Sequence, residues 1–194
     1  FAYIKNNKLY GDYAEFGVFK GKTFIEAFRA GAGLGRPELK YWAFDSFQGL
    51  PEVKNQDAGG PFHQGEFSFS RHNFSQNLVK YGVDIGRVEI VEGFYEHTLD
   101  PDKNSSVLPN SVAIAWVDCD LYESTVPVLN YLGHALVDGA VLIFDDWFCF
   151  NGREDKGEQL ACREWLDRNP NFSLTEYQKY HWGGNSFIFH RRSN

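Results

Sequence analysis

Four carboxylates follow two apolar runs of the sequence. Asp118 and Asp120 come after the run Ser111–Trp116, and Asp145 and Asp146 come near the end of the run "AVLIFDDW". Residues i and i+2 of a strand point to the same face, so the first pair can project together. A turn at the strand end lets both members of the second pair reach the same place. Converging carboxylates repel one another, and a bound divalent cation removes that repulsion. Oxygen ligands favour Mg²⁺, Mn²⁺ or Ca²⁺ over zinc.

Each pair also has a purely structural explanation. Asp120 followed by Glu123 resembles the start of a capped helix, in which the carboxylate accepts hydrogen bonds from backbone N–H groups. The adjacent Asp145 and Asp146 are also typical turn residues. Because both pairs end neighbouring strands of the predicted sheet, the sequence favours a metal site over two unrelated turns.

A glycine-containing turn and a later acid suggest a second ligand. Gly17 and Gly21 lie where the first predicted strand meets a helix, and glycine there lets a ligand approach the backbone. The pattern resembles a phosphate-binding P-loop, but its two glycines are one residue too close, so its N–H groups would no longer converge. Asp45 ends the next apolar run, where an acid can bind the ribose of a nucleoside cofactor. Its alternative is a turn residue that starts a long loop.

Composition narrows the class of protein. The 194 residues suit one domain, 1–194, with its own core. A net charge of −7 argues against nucleic-acid binding, and the lack of a long apolar stretch argues against a membrane span. Three cysteines without CxxC spacing favour reduced thiols and a cytoplasmic location. The sequence begins at Phe1 and has no methionine, so we expect it to be part of a longer chain.

Alternating periodicities predict an α/β fold. Strands are predicted at Tyr13–Phe19, Tyr41–Phe47, Arg87–Phe94, Val112–Val117 and Gly139–Phe144, with a closing hairpin of Phe172–Tyr180 and Ser186–Arg191. Helices are predicted at Thr23–Ala30, Asn73–Tyr81, Thr125–Val137 and Lys156–Arg168. Gln48–His72 has no clear period and is predicted to be a loop, which is a possible lid. Apolar strands alternating with helices predict a doubly wound, mostly parallel sheet with an antiparallel C-terminal hairpin. Ligands bind beyond the carboxyl ends of such strands.

Five motifs resemble, in their order, the macrocin O-methyltransferase (TylF-like) family: "EFGVFKG", "AFDSFQGLP", "VEGFYEHTL", "VDCDLYEST" and "GAVLIFDDW". The resemblance runs from about Tyr10 to His190. It implies a Rossmann-like class I methyltransferase fold with seven strands, of which the last is antiparallel. It also implies S-adenosylmethionine- and Mg²⁺-dependent methylation of a hydroxyl group, most often on a sugar. Family members usually carry more chain before the first strand.

The resemblance further implies roles for individual residues. The residues that would contact S-adenosylmethionine are Glu15, Gly17, Phe19, Lys20 and Gly21 at its methionine end, Asp45 and Ser46 at its ribose, and Gly93 and Phe94 near its adenine. Asp118, Asp145 and Asp146 would bind Mg²⁺, and Asp120 would be the general base. Trp147 would either form a wall of the acceptor pocket or pack in the core. The acceptor would be a small molecule or glycan with a hydroxyl group, and a homo-oligomer is compatible with this interpretation.

Other functions remain open at this point. A P-loop-like NTPase or kinase would bind ATP and no S-adenosylmethionine. A glycosyltransferase would use Asp118-x-Asp120 to hold a nucleotide sugar through a metal, which leaves Asp145 and Asp146 without a task. A non-catalytic cofactor-binding module has no reason to retain four costly carboxylates. His97 and His181 are alternative bases, for which we expect surface or supporting positions.

Overall fold

A computed structural model describes residues 1–100 and 108–192 of the protein. Its strands are β1 (Asp12–Phe16), β2 (Tyr41–Asp45), β3 (Val88–Glu92), β4 (Val112–Val117), β5 (Leu136–Phe144), β6 (Phe172–Tyr180) and β7 (Gly184–Arg191). They form one sheet in the order β3-β2-β1-β4-β5-β7-β6. The first five strands are parallel, β7 is antiparallel to β5, and β6 is antiparallel to β7. The predicted mostly parallel sheet with an antiparallel C-terminal hairpin is therefore confirmed.

Helices cover both faces of the sheet. They are α1 (Ala2–Asn6), α2 (Lys22–Ala32), α3 (Arg71–Lys80), α4 (Tyr95–Thr98), α5 (Tyr122–Ala135) and α6 (Gly157–Arg168), with 3-10 turns at Asn55–Asp57 and Ile85–Arg87. One apolar cluster joins the sheet to α5 and α6, and a second joins it to α2 and α3. The central β4, "VAIAWV", contributes to both clusters, which explains its unbroken apolar sequence. In the described part of the chain, the helices are all too short or too polar to span a membrane.

The observed elements differ from the predicted ones mainly at their ends. β1 ends at Phe16 and not at Phe19, because Gly17 turns away with a φ of +89°. A side chain at Gly17 would bring its Cβ within 1.9 Å of the carbonyl oxygen of Asp118, so the first turn can pass β4 only as glycine. β5 begins at Leu136, three residues before the predicted start, whereas β4 has its predicted bounds.

The strand order reverses between β1 and β4. From β1 the chain adds strands outward through β2 to β3, and from β4 it adds β5 and the hairpin on the other side. A crevice opens at such a reversal beyond the carboxyl ends of the two central strands, because their following loops run in opposite directions. The segments after β1, β2, β4 and β5 all meet there.

Candidate active site

A cavity of about 680 Å³ lies at this reversal point. It contains ten of the thirteen site residues predicted from sequence, namely Gly17, Phe19, Asp45, Ser46, Gly93, Phe94, Asp118, Asp120, Asp145 and Asp146. Its volume is in the usual range for a pocket that binds a small molecule. The topology thus brings together five segments that are distant in sequence, one after each of the strands β1 to β5.

Three predicted residues, Glu15, Lys20 and Gly21, do not line the cavity. Glu15 is buried within β1, where its carboxyl group accepts a hydrogen bond from the hydroxyl of Tyr13, and burial raises its pKa to about 8. Lys20 is exposed on the turn. Gly21 precedes α2 with a φ of +81° and packs against Phe74. None of the three residues therefore contributes to the cavity wall.

Three carboxylates converge at the other side of the cavity. Asp118, Asp120 and Asp146 each offer an oxygen, and these oxygens all lie within 4.8 Å of one another. Asp120 adopts a left-handed backbone with a φ of +60°, a conformation that aspartate tolerates better than most residues. That turn lets the chain after β4 return toward the end of β5. Three carboxylate oxygens this close together could hold an oxygen-binding cation.

Asp145 faces a different set of groups. Its Oδ1 accepts a hydrogen bond from the Tyr180 hydroxyl at 3.1 Å and lies 3.4 Å from Nε2 of His181. The backbone N–H of Gly183 donates to Nδ1 of His181 at 2.9 Å, so the ring proton of neutral His181 belongs on Nε2, toward Asp145. The two adjacent aspartates therefore diverge, and Asp145 is held by the β6–β7 hairpin. The expectation of a supporting position agrees with this geometry for His181, while His97 is exposed on α4.

The electrostatics of the acidic cluster are unfavourable without a cation. Removal from water, followed by the charges of Asp146 and Asp145, raises the pKa of both Asp118 and Asp120 well above the usual range. Burial raises the pKa of Asp146 to about 6. Within the described residues, no lysine or arginine forms an ion pair with these side chains. A divalent cation would supply the missing positive charge.

Hydrogen bonding leads to the same interpretation for Asp146. Its Oδ1 accepts a hydrogen bond from the thiol of Cys149 at 2.9 Å. Its Oδ2 is buried and has no hydrogen-bond partner among the residues that the structure describes. A buried carboxylate oxygen without a donor is costly unless something else binds it. The residues present therefore fit a bound metal ion.

Asp45 is satisfied by the protein itself. Its Oδ2 accepts hydrogen bonds from the backbone N–H groups of Val18 at 2.8 Å and Phe19 at 3.2 Å. Its Oδ1 accepts one from Phe47 at 2.7 Å. The carboxylate thus fixes the turn after β1 against the end of β2. Because a carboxylate has about four acceptor positions, one remains for a ligand in the cavity.

Several cavity residues were not predicted from the sequence. Phe62, Phe67 and Trp182 bring aromatic rings to the cavity wall, and Trp182 is 76% exposed at the tip of the β6–β7 hairpin. These residues lie in loop segments without periodicity. The only sequence signal for them was an aromatic residue in a polar loop. Trp147 instead packs against Phe144 and Phe187 with ring centres 4.9 and 4.8 Å apart, which favours the core role.

A family model described as Macrocin-O-methyltransferase (TylF) matches residues 1–160. The chain belongs to the TylF family. The match includes β1 to β5, the glycine turn and all four aspartates of the site. The resemblance that the motifs indicate is thereby confirmed.

Named relatives of this TylF-family chain are O-methyltransferases. It is 28% identical over 143 residues to 8-demethyl-8-(2,3-dimethoxy-alpha-L-rhamnosyl)-tetracenomycin-C 4'-O-methyltransferase of Streptomyces olivaceus, covering 71% of this chain and 53% of the relative. It is 24% identical over 172 residues to mycinamicin III 3''-O-methyltransferase of Micromonospora griseorubida, covering 82% and 61%. The chain thus spans little more than half the length of these curated relatives.

Solved structures share the fold. The O-methyltransferase NovP superposes with a TM-score of 0.75 at 21% identity, over 100% of this chain and 76% of NovP. A calicheamicin methyltransferase superposes with a TM-score of 0.75 at 24% identity, over 96% of this chain and 75% of that protein. These similarities establish the class I methyltransferase fold of the TylF-family chain.

Proposed function

We propose that the protein is an S-adenosylmethionine- and Mg²⁺-dependent O-methyltransferase that methylates a sugar hydroxyl of a glycoside, and that residues 1–194 act as one catalytic domain. The observation that carries the proposal is the convergence of Asp118, Asp120 and Asp146 on a cavity of a TylF-family chain. The names of two relatives, which describe methylation of glycosylated products, support a sugar acceptor.

The proposed donor site is the half of the cavity beyond β1, β2 and β3. Gly17 and Phe19 would border the methionine end of S-adenosylmethionine, Asp45 and Ser46 its ribose, and Gly93 and Phe94 its adenine. Glu15, Lys20 and Gly21 do not line the cavity. Their proposed role is therefore to support the turn after β1 instead of contacting the cofactor. The cofactor supplies a methyl group on a sulfonium, which is already electrophilic. The task left to these residues is to hold it in line with the acceptor.

The proposed cation site lies in the other half of the cavity. Asp118 and Asp146 are the proposed ligands, which is supported by the family resemblance and by their convergence in the cavity. Asp145 lies outside the converging group and is the proposed third ligand on the family resemblance alone. Because Tyr180 and His181 contact its Oδ1, its Oδ2 would be the ligand atom. When bound, the cation would stabilise the ionised form of an acceptor hydroxyl.

Asp120 is the proposed general base. It is the one carboxylate of the converging group to which the family resemblance gives the role of base instead of metal ligand. Its carboxylate would accept the proton of the acceptor hydroxyl as the oxygen attacks the methyl group. The aromatic side chains of Phe62, Phe67 and Trp182 would contact the apolar faces of the sugar and its aglycone.

Calorimetric titration with S-adenosylhomocysteine, with and without Mg²⁺, tests the donor half of this proposal. We expect micromolar binding of S-adenosylhomocysteine and none of ATP. Binding of ATP alone would favour an NTPase that uses the glycine turn to bind phosphate. Binding of neither ligand by folded protein would contradict a donor site in this cavity.

A further inference from the structure

Two buried carboxylates connect the outer wall of the cavity to the acidic cluster. Asp57 lies in the 3-10 turn of the long loop after β2, and Glu158 lies in the first turn of α6, and each is only 1% exposed. Neither is among the three carboxylates that converge. Burying such groups is costly unless they make hydrogen bonds, so the bonds that they make deserve an explanation.

Asp57 caps two helices at once. Its Oδ2 accepts a hydrogen bond from the backbone N–H of Tyr122 at 2.7 Å, and its Oδ1 accepts one from that of Gly157 at 3.0 Å. These are the first residues of α5 and α6, whose own N-cap residues, Leu121 and Lys156, provide no side-chain cap. Free N–H groups at a helix start need an acceptor, and a negative charge there is favourable.

Glu158 continues the connection toward the cation site. Its Oε2 accepts a hydrogen bond from the backbone N–H of Asp146 at 3.0 Å. Its Oε1 is buried without a hydrogen-bond partner among the described residues. The neighbouring Gly157 lies close to the main chain of Asp120. A Cβ added to this glycine would be 3.6 Å from the carbonyl oxygen of Asp120.

The backbone that carries Asp120 and Asp146 is therefore fixed by hydrogen bonds from outside the cluster. Tyr122, which Asp57 binds, lies two residues after Asp120, and Asp146 itself is bound through its N–H by Glu158. The loop that contains Asp57 also contributes Leu50, Lys54 and Phe62 to the cavity wall. A shift of that loop would move both helix starts together.

We propose that Asp57 and Glu158 are positioning residues, which hold the main chain of the cation-binding segments through backbone hydrogen bonds and couple it to the loop after β2. The inference rests on the proposed cation site. Replacing a residue that holds metal ligands in place through hydrogen bonds typically changes metal affinity by about 10- to 100-fold.

The substitution at Asp57 has a matched control. In Asp57→Asn, one oxygen remains an acceptor but the amide nitrogen faces the other N–H group, so one helix start loses its cap. Asp84 makes the same type of backbone bond, to Gly86 at 3.0 Å, on the exposed turn before β3. Asp84→Asn therefore makes the same chemical change far from the site.

Glu158 allows a rescue experiment. Glu158→Leu removes the acceptor of the Asp146 N–H, whereas Glu158→Gln keeps an oxygen in the same place. A role in positioning predicts weaker cation binding in the leucine variant and near-normal binding in the glutamine variant. A role that depends on charge predicts the same loss in both variants.

The test is Mn²⁺ binding to the purified variants, followed by electron paramagnetic resonance, with S-adenosylhomocysteine binding measured on the same samples to report an intact donor half. We expect Asp57→Asn and Glu158→Leu to weaken Mn²⁺ binding by about tenfold or more, with Asp84→Asn and Glu158→Gln close to wild type. Wild-type affinity in both Asp57→Asn and Glu158→Leu, or an equal loss in Glu158→Gln and Glu158→Leu, would overturn the inference. If the wild-type protein binds no Mn²⁺, the cation site itself fails, and the inference fails with it.

Discussion

Two acidic regions border the same cavity, and their carboxylates are satisfied in opposite ways. Asp45, at the end of β2, accepts three hydrogen bonds from backbone N–H groups. At the ends of β4 and β5, the converging carboxylates face one another, and an oxygen of Asp146 lacks a partner. The first region is satisfied within the protein, whereas the second leaves carboxylate oxygens that the proposed cation would bind. Aspartate at a strand end therefore has two roles here, which its hydrogen-bond partners distinguish.

The largest expected effect is the loss of activity in Asp118→Asn. If Asp118 binds the proposed cation, its loss should reduce turnover by about a thousandfold or more, since metal stabilisation of the transition state is worth several kcal/mol. Mn²⁺ binding should fall in parallel. Asp167→Asn, on the exposed side of α6, is the matched control and should keep full activity. Normal turnover by Asp118→Asn would contradict the proposal that the acidic region at the ends of β4 and β5 binds a cation needed for catalysis.

Asp120 and Asp145 sharpen the comparison within the acidic region. Asp120→Asn should reduce turnover by about 10²- to 10⁴-fold, as expected for a general base, and leave Mn²⁺ binding within a few-fold of wild type. Asp145→Asn should weaken Mn²⁺ binding. Measuring turnover and Mn²⁺ affinity in both variants separates the roles. If Asp120→Asn loses Mn²⁺ binding as Asp118→Asn does, Asp120 is a ligand, as its place in the converging group would also allow.

The two regions should respond oppositely when a carboxylate is neutralised without divalent cations. Asp118→Asn relieves the repulsion within the cluster and should raise the free energy of unfolding by about 1 to 3 kcal/mol. Asp45→Asn removes an acceptor of backbone N–H groups and should lower it by about 1 to 3 kcal/mol. Urea unfolding in EDTA measures both. Saturating Mg²⁺ should reverse the order of wild type and Asp118→Asn, and stability changes of the same sign in EDTA would contradict the comparison.

Glu15, which is buried in β1 beside the proposed donor half of the cavity, predicts an effect that depends on pH. Burial raises its pKa to about 8 from an ordinary 4.5, so the folded state holds this proton more tightly than the unfolded state. The resulting stabilisation is fully present below about pH 4.5 and is lost as the pH rises through about 8. Between these two pH values, the free energy of unfolding of the wild type should therefore fall by about 1.4 kcal/mol per pH unit because of Glu15. Glu15→Gln stays neutral and should lack this contribution. Glu38→Gln, on the surface, should keep the pH dependence of the wild type. Parallel curves of unfolding free energy against pH for wild type and Glu15→Gln would contradict the raised pKa of Glu15.

The sequence predicts the acidic region better than the contacts that support it. Asp118 and Asp145 directly follow the paired strands β4 and β5, so strand pairing brings the two acidic pairs to the same edge of the sheet. Asp57 lies in a loop without periodicity, and its partners are 65 and 100 residues away, where no local pattern can indicate them. The divergence of Asp145 from Asp146 also depends on the distant hairpin residue Tyr180.

The glycine turn shows the same limit at the donor region. Its sequence predicts a ligand-approach site at Gly17 and Gly21, and Gly17 does line the cavity. The reason that Gly17 must be glycine is the carbonyl oxygen of Asp118 on the neighbouring strand. Gly21 instead packs against Phe74 of α3. Tertiary packing differs at the two glycines and decides that Gly17, and not Gly21, lines the cavity.

The most direct test of the cation site is the anomalous diffraction of a crystal grown with Mn²⁺ and S-adenosylhomocysteine. The account predicts a manganese peak bonded to carboxylate oxygens of both Asp118 and Asp146, beside S-adenosylhomocysteine in the half of the cavity that contains Asp45. A cavity that holds S-adenosylhomocysteine with no manganese between these two aspartates would contradict it.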